Sequence, residues 1–125
     1  MADDLHRWFD EWLDACNRHD LAALGALIAP DVRRAHLPRG ADAWLDGFAD
    51  LFAGFPDLQW RRIQVVAEDD RLAAHLRIRG THRGVWEGIA ATGRHVNAAE
   101  FVLLRVVGGQ VVESAGSDGL RAELL

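Results

Sequence analysis

Proton transfer in this chain can come only from carboxylates, imidazoles and one thiol. All fourteen basic residues are arginine, so no lysine amine can form a Schiff base. There is no tyrosine, so no phenol can serve as an acid or an oxyanion donor. What remains is nineteen Asp and Glu residues, six histidines and Cys16. No two histidines stand at a metal-binding spacing, and a lone cysteine excludes an internal disulfide and a Cys-based zinc cluster. No metal site is expected.

Side chains alternate along a strand, so parity decides which of these groups share a face. In 71–82, Leu72, Ala74, Leu76, Ile78, Gly80 and His82 share an apolar face; His75, Arg77, Arg79 and Thr81 share the other. The apolar face is expected to be inner, with His82 where it meets the mouth of a cavity. There His82 is either a general base or ligand-orienting donor, or a histidine that bonds a loop carbonyl and holds 83–94. In 95–107 two registers compete: Asn97, Ala99, Phe101 and Leu103, or Val96, Ala98, Glu100, Val102 and Leu104. Asp118 shares parity with Ser114 and Gly116 if the last strand runs that far. Ser117-Asp118-Gly119 also reads as a turn, and a cap for a final helical turn at 120–125 is the preferred role for Asp118.

Five tryptophans are many for 125 residues. Trp8 and Trp12 could line a cavity wall, Trp60 and Trp86 add to it, and Trp86 could act as a lid. With Phe52, Leu76 and Ile78 they describe an apolar pocket suited to flat ligands. Each aromatic is equally readable as core. Cys16 reads as packing rather than as a nucleophile.

The elements that must position these groups follow from periodicity. Leu5, Trp8, Trp12, Ala15 and Cys16 recur at helical spacing, with Asp3 or Asp4 as a possible cap. Asp20 caps a short second helix through Leu21, Leu24, Leu27 and Ile28, which Pro30 ends. Residues 31–39 read as a loop or short strand. A third helix follows Gly40, with Trp44, Leu45, Phe48, Leu51, Phe52 and Phe55 on one face. Strands are expected at 60–66, 71–81, 95–107 and 110–114, with turns at Asp69-Asp70 and Gly108-Gly109. Helices followed by an antiparallel sheet of long strands predict an α+β domain over 1–125, the sheet curved over three helices around a pocket.

Half of the residues are hydrophobic and a quarter are charged, the composition of a folded domain. A net charge of −5 without a basic stripe argues against a nucleic-acid partner. No apolar run is long enough to cross a bilayer, and Met1–Asp14 has no signal-peptide core, so a cytoplasmic protein is expected.

Several local motifs occur together and in order. They are Asn17-Arg-His-Asp-Leu; Ala29-Pro-Asp-Val32 followed by His36; Phe55-Pro-Asp-Leu58; Gly80-Thr-His-Arg-Gly84 followed by Gly88-Ile89 and Thr92-Gly-Arg94; and Leu104 to Glu113. Together they resemble the SnoaL-like polyketide cyclase family, a branch of the nuclear transport factor 2-like superfamily. The resemblance implies a cone-shaped α+β fold, a dimer formed through the sheet, no metal or organic cofactor, and ring closure of an aromatic polyketide by an intramolecular aldol step. It places Val102 in the pocket, hence Glu100 too, where partial desolvation would raise its pKa. Otherwise Glu100 faces solvent or pairs with Arg77 or Arg79. It also brings the His36 loop to the pocket, where His36 could complete a group with His82 and Glu100. The alternative is an exposed loop histidine beside Arg33 and Arg34.

One departure stands out. The acid–base aspartate of ring-closing members falls at Gly116 and their assisting histidine at Val102. Three functions are therefore weighed. The first is a cofactor-free enzyme of bacterial specialised metabolism, acting on an apolar carbonyl-bearing substrate by cyclisation, isomerisation or dehydration. His82 and Glu100 would move the proton and Asn97 would stabilise the enolate. The second is a non-catalytic module that holds a hydrophobic metabolite. The third is an epoxide hydrolase of the limonene type, disfavoured by the missing tyrosine and by an expected lack of inner-facing aspartates on strands.

Overall fold

The computed structural model describes residues 2–125. The chain runs through helix α1 (Ala2–Asn17), α2 (Leu21–Ala26), strand β1 (Ile28–Arg33), α3 (Ala41–Gly54), β2 (Gln59–Glu68), β3 (Arg71–Thr81), β4 (His95–Val107), β5 (Gln110–Asp118) and α4 (Leu120–Leu124). The strands form one sheet in the order β1-β5-β4-β3-β2.

Helix α1 buries the stripe foreseen from its spacing, Leu5, Trp8, Trp12, Ala15 and Cys16, and Phe9 and Leu13 join it in the core. Its span takes in both Asp3 and Asp4, and its cap lies outside the described residues. Asp20 does cap α2, its carboxylate accepting the Ala23 N–H at 2.9 Å. Helix α2 then stops at Ala26, earlier than its apolar pattern predicts. Ile28 and Ala29 are buried as part of β1, which pairs parallel to β5. The sheet is thus mixed rather than wholly antiparallel. Pro30 lies inside β1 because β1 is an edge strand, where a missing N–H costs no ladder bond.

The two hairpins match their turn residues. Asp69 adopts φ 53° between β2 and β3, and Asp70 accepts from Arg105 Nε at 2.9 Å. Gly108 and Gly109, at φ 59° and 78°, supply the two positive values that a two-residue β4–β5 turn requires. Strand β5 continues to Asp118, four residues further than expected, because it pairs with β4 as far as Glu100. Register shifts at Arg62/Gln64 and Arg105/Val106 mark bulges that bend the sheet over the helices.

Hydrogen bonds fasten the helices and the α3–β2 loop to the sheet. Trp8 Nε1 donates to Gly109 O at 2.8 Å. The Asn17 amide brackets Trp60, accepting its N–H at 2.7 Å and donating to its carbonyl at 3.1 Å. Asp57 accepts from the backbone N–H and the hydroxyl of Thr81 at 2.7 and 2.8 Å. No helix among the described residues is long and apolar enough to cross a membrane.

Candidate active site

A cavity of about 270 Å³ lies between the helices and the concave face of the sheet. Trp12, Leu13 and Cys16 of α1 form one wall, and Trp44, Phe48 and Leu51 of α3 another. The sheet supplies Trp60, Leu76, Glu100, Val102 and the end of β5 from Ser114 to Asp118; the loop after β1 supplies Arg34 and His36. Trp86 and Glu87 enter from the 82–94 connection. The aromatic rings form a continuous cluster, of which Trp12, Trp44, Phe48 and Trp60 face the cavity: Trp8 stacks on Trp12, Trp12 meets Trp44 and Phe48, and Phe52 links Phe48 to Trp60.

The polar content of the sheet wall is concentrated in one pair. Glu100 and Asp118 stand directly opposite each other on β4 and β5. Opposed residues of an antiparallel pair share a face, with Cβ atoms roughly 5 Å apart. Trp60 reaches across β3, and its indole N–H donates to Glu100 Oε1 at 3.2 Å. Burial, reinforced by the charge of Asp118, raises the Glu100 pKa to about 7, against a smaller opposing effect of the Trp60 bond. The Asp118 pKa is also raised, first by loss of water, while the Leu120 N–H bond at 3.0 Å holds it down and Glu87 adds repulsion. Glu100 is held protonated by its own burial and by the charge that ionised Asp118 places opposite it. Asp118 therefore ionises first and Glu100 keeps its proton longer. Cys16, buried beside them, has its pKa driven well up by desolvation and then by Glu100, so its thiol is not an activated nucleophile.

Of the residues singled out from sequence, Glu100, Asp118, His36, Trp12, Trp60, Trp86, Leu76 and Val102 line this cavity. The second of the two β4 registers is the inner one, with Val96, Ala98 and Leu104 buried and Asn97 and Phe101 exposed. Asn97 is on the outer face, bonded to Arg77 Nη2 at 2.9 Å through its Oδ1, and cannot reach an enolate in the cavity. Arg77 and Arg79 share that outer side, so neither pairs with Glu100. Asp118 takes both of its readings, as the last strand residue on the cavity wall and as an acceptor for the first N–H of α4. An inner-facing strand aspartate therefore exists, contrary to expectation.

His82 is displaced from its expected place at the cavity mouth. It is fully buried, stacked on Phe55 at 5.2 Å, and Phe55 in turn packs edge-on against Trp86. Its Nδ1 accepts the Thr92 N–H at 3.1 Å and lies 3.0 Å from Thr92 Oγ1. With its backbone bonds to Gly93 and Arg94, it holds the 82–94 connection closed. Nε2 has no hydrogen-bond partner among the described residues. Ile78 is core, Phe52 stacks on His19 at 4.1 Å, and Trp8 anchors the β4–β5 turn; none of the three lines the cavity. Arg34, Ser114 and Glu87 also line the cavity; nothing in their local sequence marks them, because their neighbours in space come from other elements.

Gly116 lies opposite Val102, two rungs along the ladder from the Glu100–Asp118 pair and on the same face. A Cβ at Gly116 would sit 2.5 Å from the Phe101 carbonyl oxygen. This backbone has closed over the place that a side chain would need.

Comparison with known proteins agrees with this architecture. AclR from Streptomyces galilaeus, described as a proposed hydroxylase, is 27% identical over 97% of this chain and 78% of its own, with a TM-score of 0.87. IdmH from Streptomyces antibioticus, a proposed polyketide cyclase, is 28% identical over 95% of this chain and 96% of its own, with a TM-score of 0.79. A SnoaL-like protein from Jannaschia sp. CCS1 shares the fold, with a TM-score of 0.86 over 97% of this chain and 89% of its own, at 22% identity. No curated protein matches the chain. The SnoaL-like polyketide cyclase model matches residues 5–118, nearly the whole chain, and the protein belongs to that family.

Proposed function

We propose that the protein is a cofactor-free acid–base enzyme acting on a flat, apolar, carbonyl-bearing molecule, with Asp118 as base and Glu100 as acid. The observation that carries this reading is the pair itself: two carboxyl groups face each other on an aromatic-lined wall and differ in proton affinity. Asp118 removes a proton from carbon next to a carbonyl, giving an enolate. The enolate carbon attacks a second carbonyl carbon of the same substrate, forming the C–C bond. Glu100 gives its proton to the oxygen that becomes the alcohol. The substrate proton ends on Asp118, and exchange with water restores the pair. Isomerisation uses the same two transfers, with Glu100 returning a proton to carbon.

In family members with the aldol machinery, the acid–base groups correspond to Val102 and Gly116. That pair and Glu100–Asp118 are consecutive same-face rungs of one ladder. The proposal moves the chemistry by two residues, about 6–7 Å along the strands. The same reading takes the active form as a homodimer through the outer sheet face, where Val66, Phe101 and Leu103 are exposed.

The test is hydrogen–deuterium exchange at the carbon next to the carbonyl of 2-tetralone in D₂O, followed by NMR. The wild-type protein is expected to accelerate exchange. Glu100→Gln and Asp118→Asn are each expected to lose about 100-fold or more, and the double variant little beyond the worse single one. Exchange at wild-type speed in a folded double variant would sink the assignment. Binding of 2-tetralone without any accelerated exchange would favour a ligand-holding module instead.

A further inference from the structure

The cavity has a second polar feature that the acid–base pair does not use. Arg34 lies on the loop between β1 and α3 and lines the cavity, its guanidinium 5.1 Å from the centroid of the Trp44 ring. It is partly buried, and desolvation lowers its pKa, so its charge is held where water compensates it poorly. Every other charged cavity residue is an acid: Glu87, Glu100 and Asp118. Glu87 is already paired with Arg121 at 3.0 Å. No carboxylate among the described residues lies within ion-pair distance of Arg34, whose bond to the Pro38 carbonyl at 3.3 Å occupies one of its five donors. Nor is Arg34 among the charges that shift Glu100 or Asp118. The cavity is therefore polarised, with acids on the sheet wall and an unpaired cation on the loop wall.

We propose that Arg34 is an anion-recognition residue, and that the natural ligand is a flat aromatic or polycyclic molecule bearing an acidic oxygen group, a carboxylate or equivalent. The planar guanidinium, stacked on Trp44, presents a fork of N–H donors matched to two oxygens. The acid pair repels the same group, so the anion seats at Arg34 and the opposite end of the ligand is directed to Glu100 and Asp118. This deepens the proposed function by giving the substrate a charge and an orientation. It depends on the cavity being the binding site and not on catalysis.

Two isosteric probes test it: 2-naphthoate, which is anionic, and 2-naphthamide, which is neutral. Binding is read by quenching of tryptophan fluorescence or by calorimetry at neutral pH. Wild-type protein is expected to prefer naphthoate by about 10-fold or more. Arg34→Met keeps the stem against Trp44 and is expected to reduce the preference to about 2-fold or less, with naphthamide affinity unchanged within about 2-fold. Arg34→Lys should retain part of the preference, because it keeps the charge and loses the fork. Glu100→Gln should keep the preference whether or not it abolishes proton exchange, which separates this proposal from the acid–base assignment. Absence of naphthoate binding, no preference in the wild type, or a preference that survives in Arg34→Met would overturn it.

Discussion

Glu100 shows how one residue can be costly to the fold and useful in the cavity. Its pKa rises from 4.5 to about 7 because the ionised form has lost water and faces Asp118. Below pH 4.5 it is protonated in both folded and unfolded chains and costs nothing. Between pH 4.5 and 7 the unfolded chain gives up the proton first, so stability falls as pH rises through that window. Above it the full penalty is present. Glu100→Gln is therefore expected to stabilise the protein at pH 8 by on the order of 2 kcal/mol, and hardly at pH 4. Thermal melts at the two pH values measure this; equal shifts at both would contradict the assigned burial. On the acid–base reading, kcat/KM should fall as pH rises through about 7, where Glu100 loses the proton it donates. The His82 case runs the other way. Its parity assigned it to the inner face, and it is inner, but Phe55 and Trp86 pack in its vicinity and Thr92 takes its Nδ1.

At the scale of elements, the β4–β5 ladder decides what chemistry is available. Its register sets Glu100 against Asp118, Val102 against Gly116 and Leu104 against Ser114 on the concave face. The close approach of Gly116 to the Phe101 carbonyl means that the missing aspartate is not a simple vacancy. Gly116→Asp is expected to destabilise the protein by about 1–3 kcal/mol, since backbone must move to admit a Cβ. It is also expected to leave proton exchange no faster than wild type. Denaturant unfolding and the 2-tetralone assay check both halves; a stable variant with raised activity would show that the backbone yields there. The 82–94 connection is fixed by similar close contacts. Arg83 and Gly84 both donate to the Gly54 carbonyl, and a Cβ at Gly84 would lie 2.5 Å from Ala53 O. That approach brings Trp86 to the cavity wall as a packed side chain.

The whole molecule has two unlike sheet faces. The concave face is covered by helices; the outer face exposes Phe101 at 53% and Val66 at 56% of their surfaces, with His75 stacked on Phe101 at 4.5 Å. Apolar groups contiguous across neighbouring strands are unusual on a solvated face. With a homodimer as the proposed form, Phe101→Asp combined with Leu103→Asp is expected to yield monomers in light scattering, with the cavity pair untouched. A wild type that is already monomeric at micromolar concentration would reject the dimer.

Much of this was legible in the chain before folding. The helical stripe of α1, the Asp20 cap, the glycine hairpin and the period-2 faces of β3 are local properties, set by neighbours a few residues apart. So were the exclusions: a chain without lysine or tyrosine cannot use them anywhere. Sequence also supplied Glu100 and Asp118 as candidates, but parity left the face of Glu100 open and the extent of the last strand uncertain. The register between β4 and β5 resolved both, because pairing depends on residues far apart in the chain. The same holds for β1: Pro30 signals a break locally, yet an edge position beside β5 admits it. Arg34 was unremarkable as a loop arginine. Only tertiary packing puts it on an aromatic ring, inside a cavity, with no carboxylate among the described residues to answer its charge. Residue types determined which chemistry was possible; long-range pairing and burial decided where it could occur, since both the proximity of charges and their loss of water are made by folding.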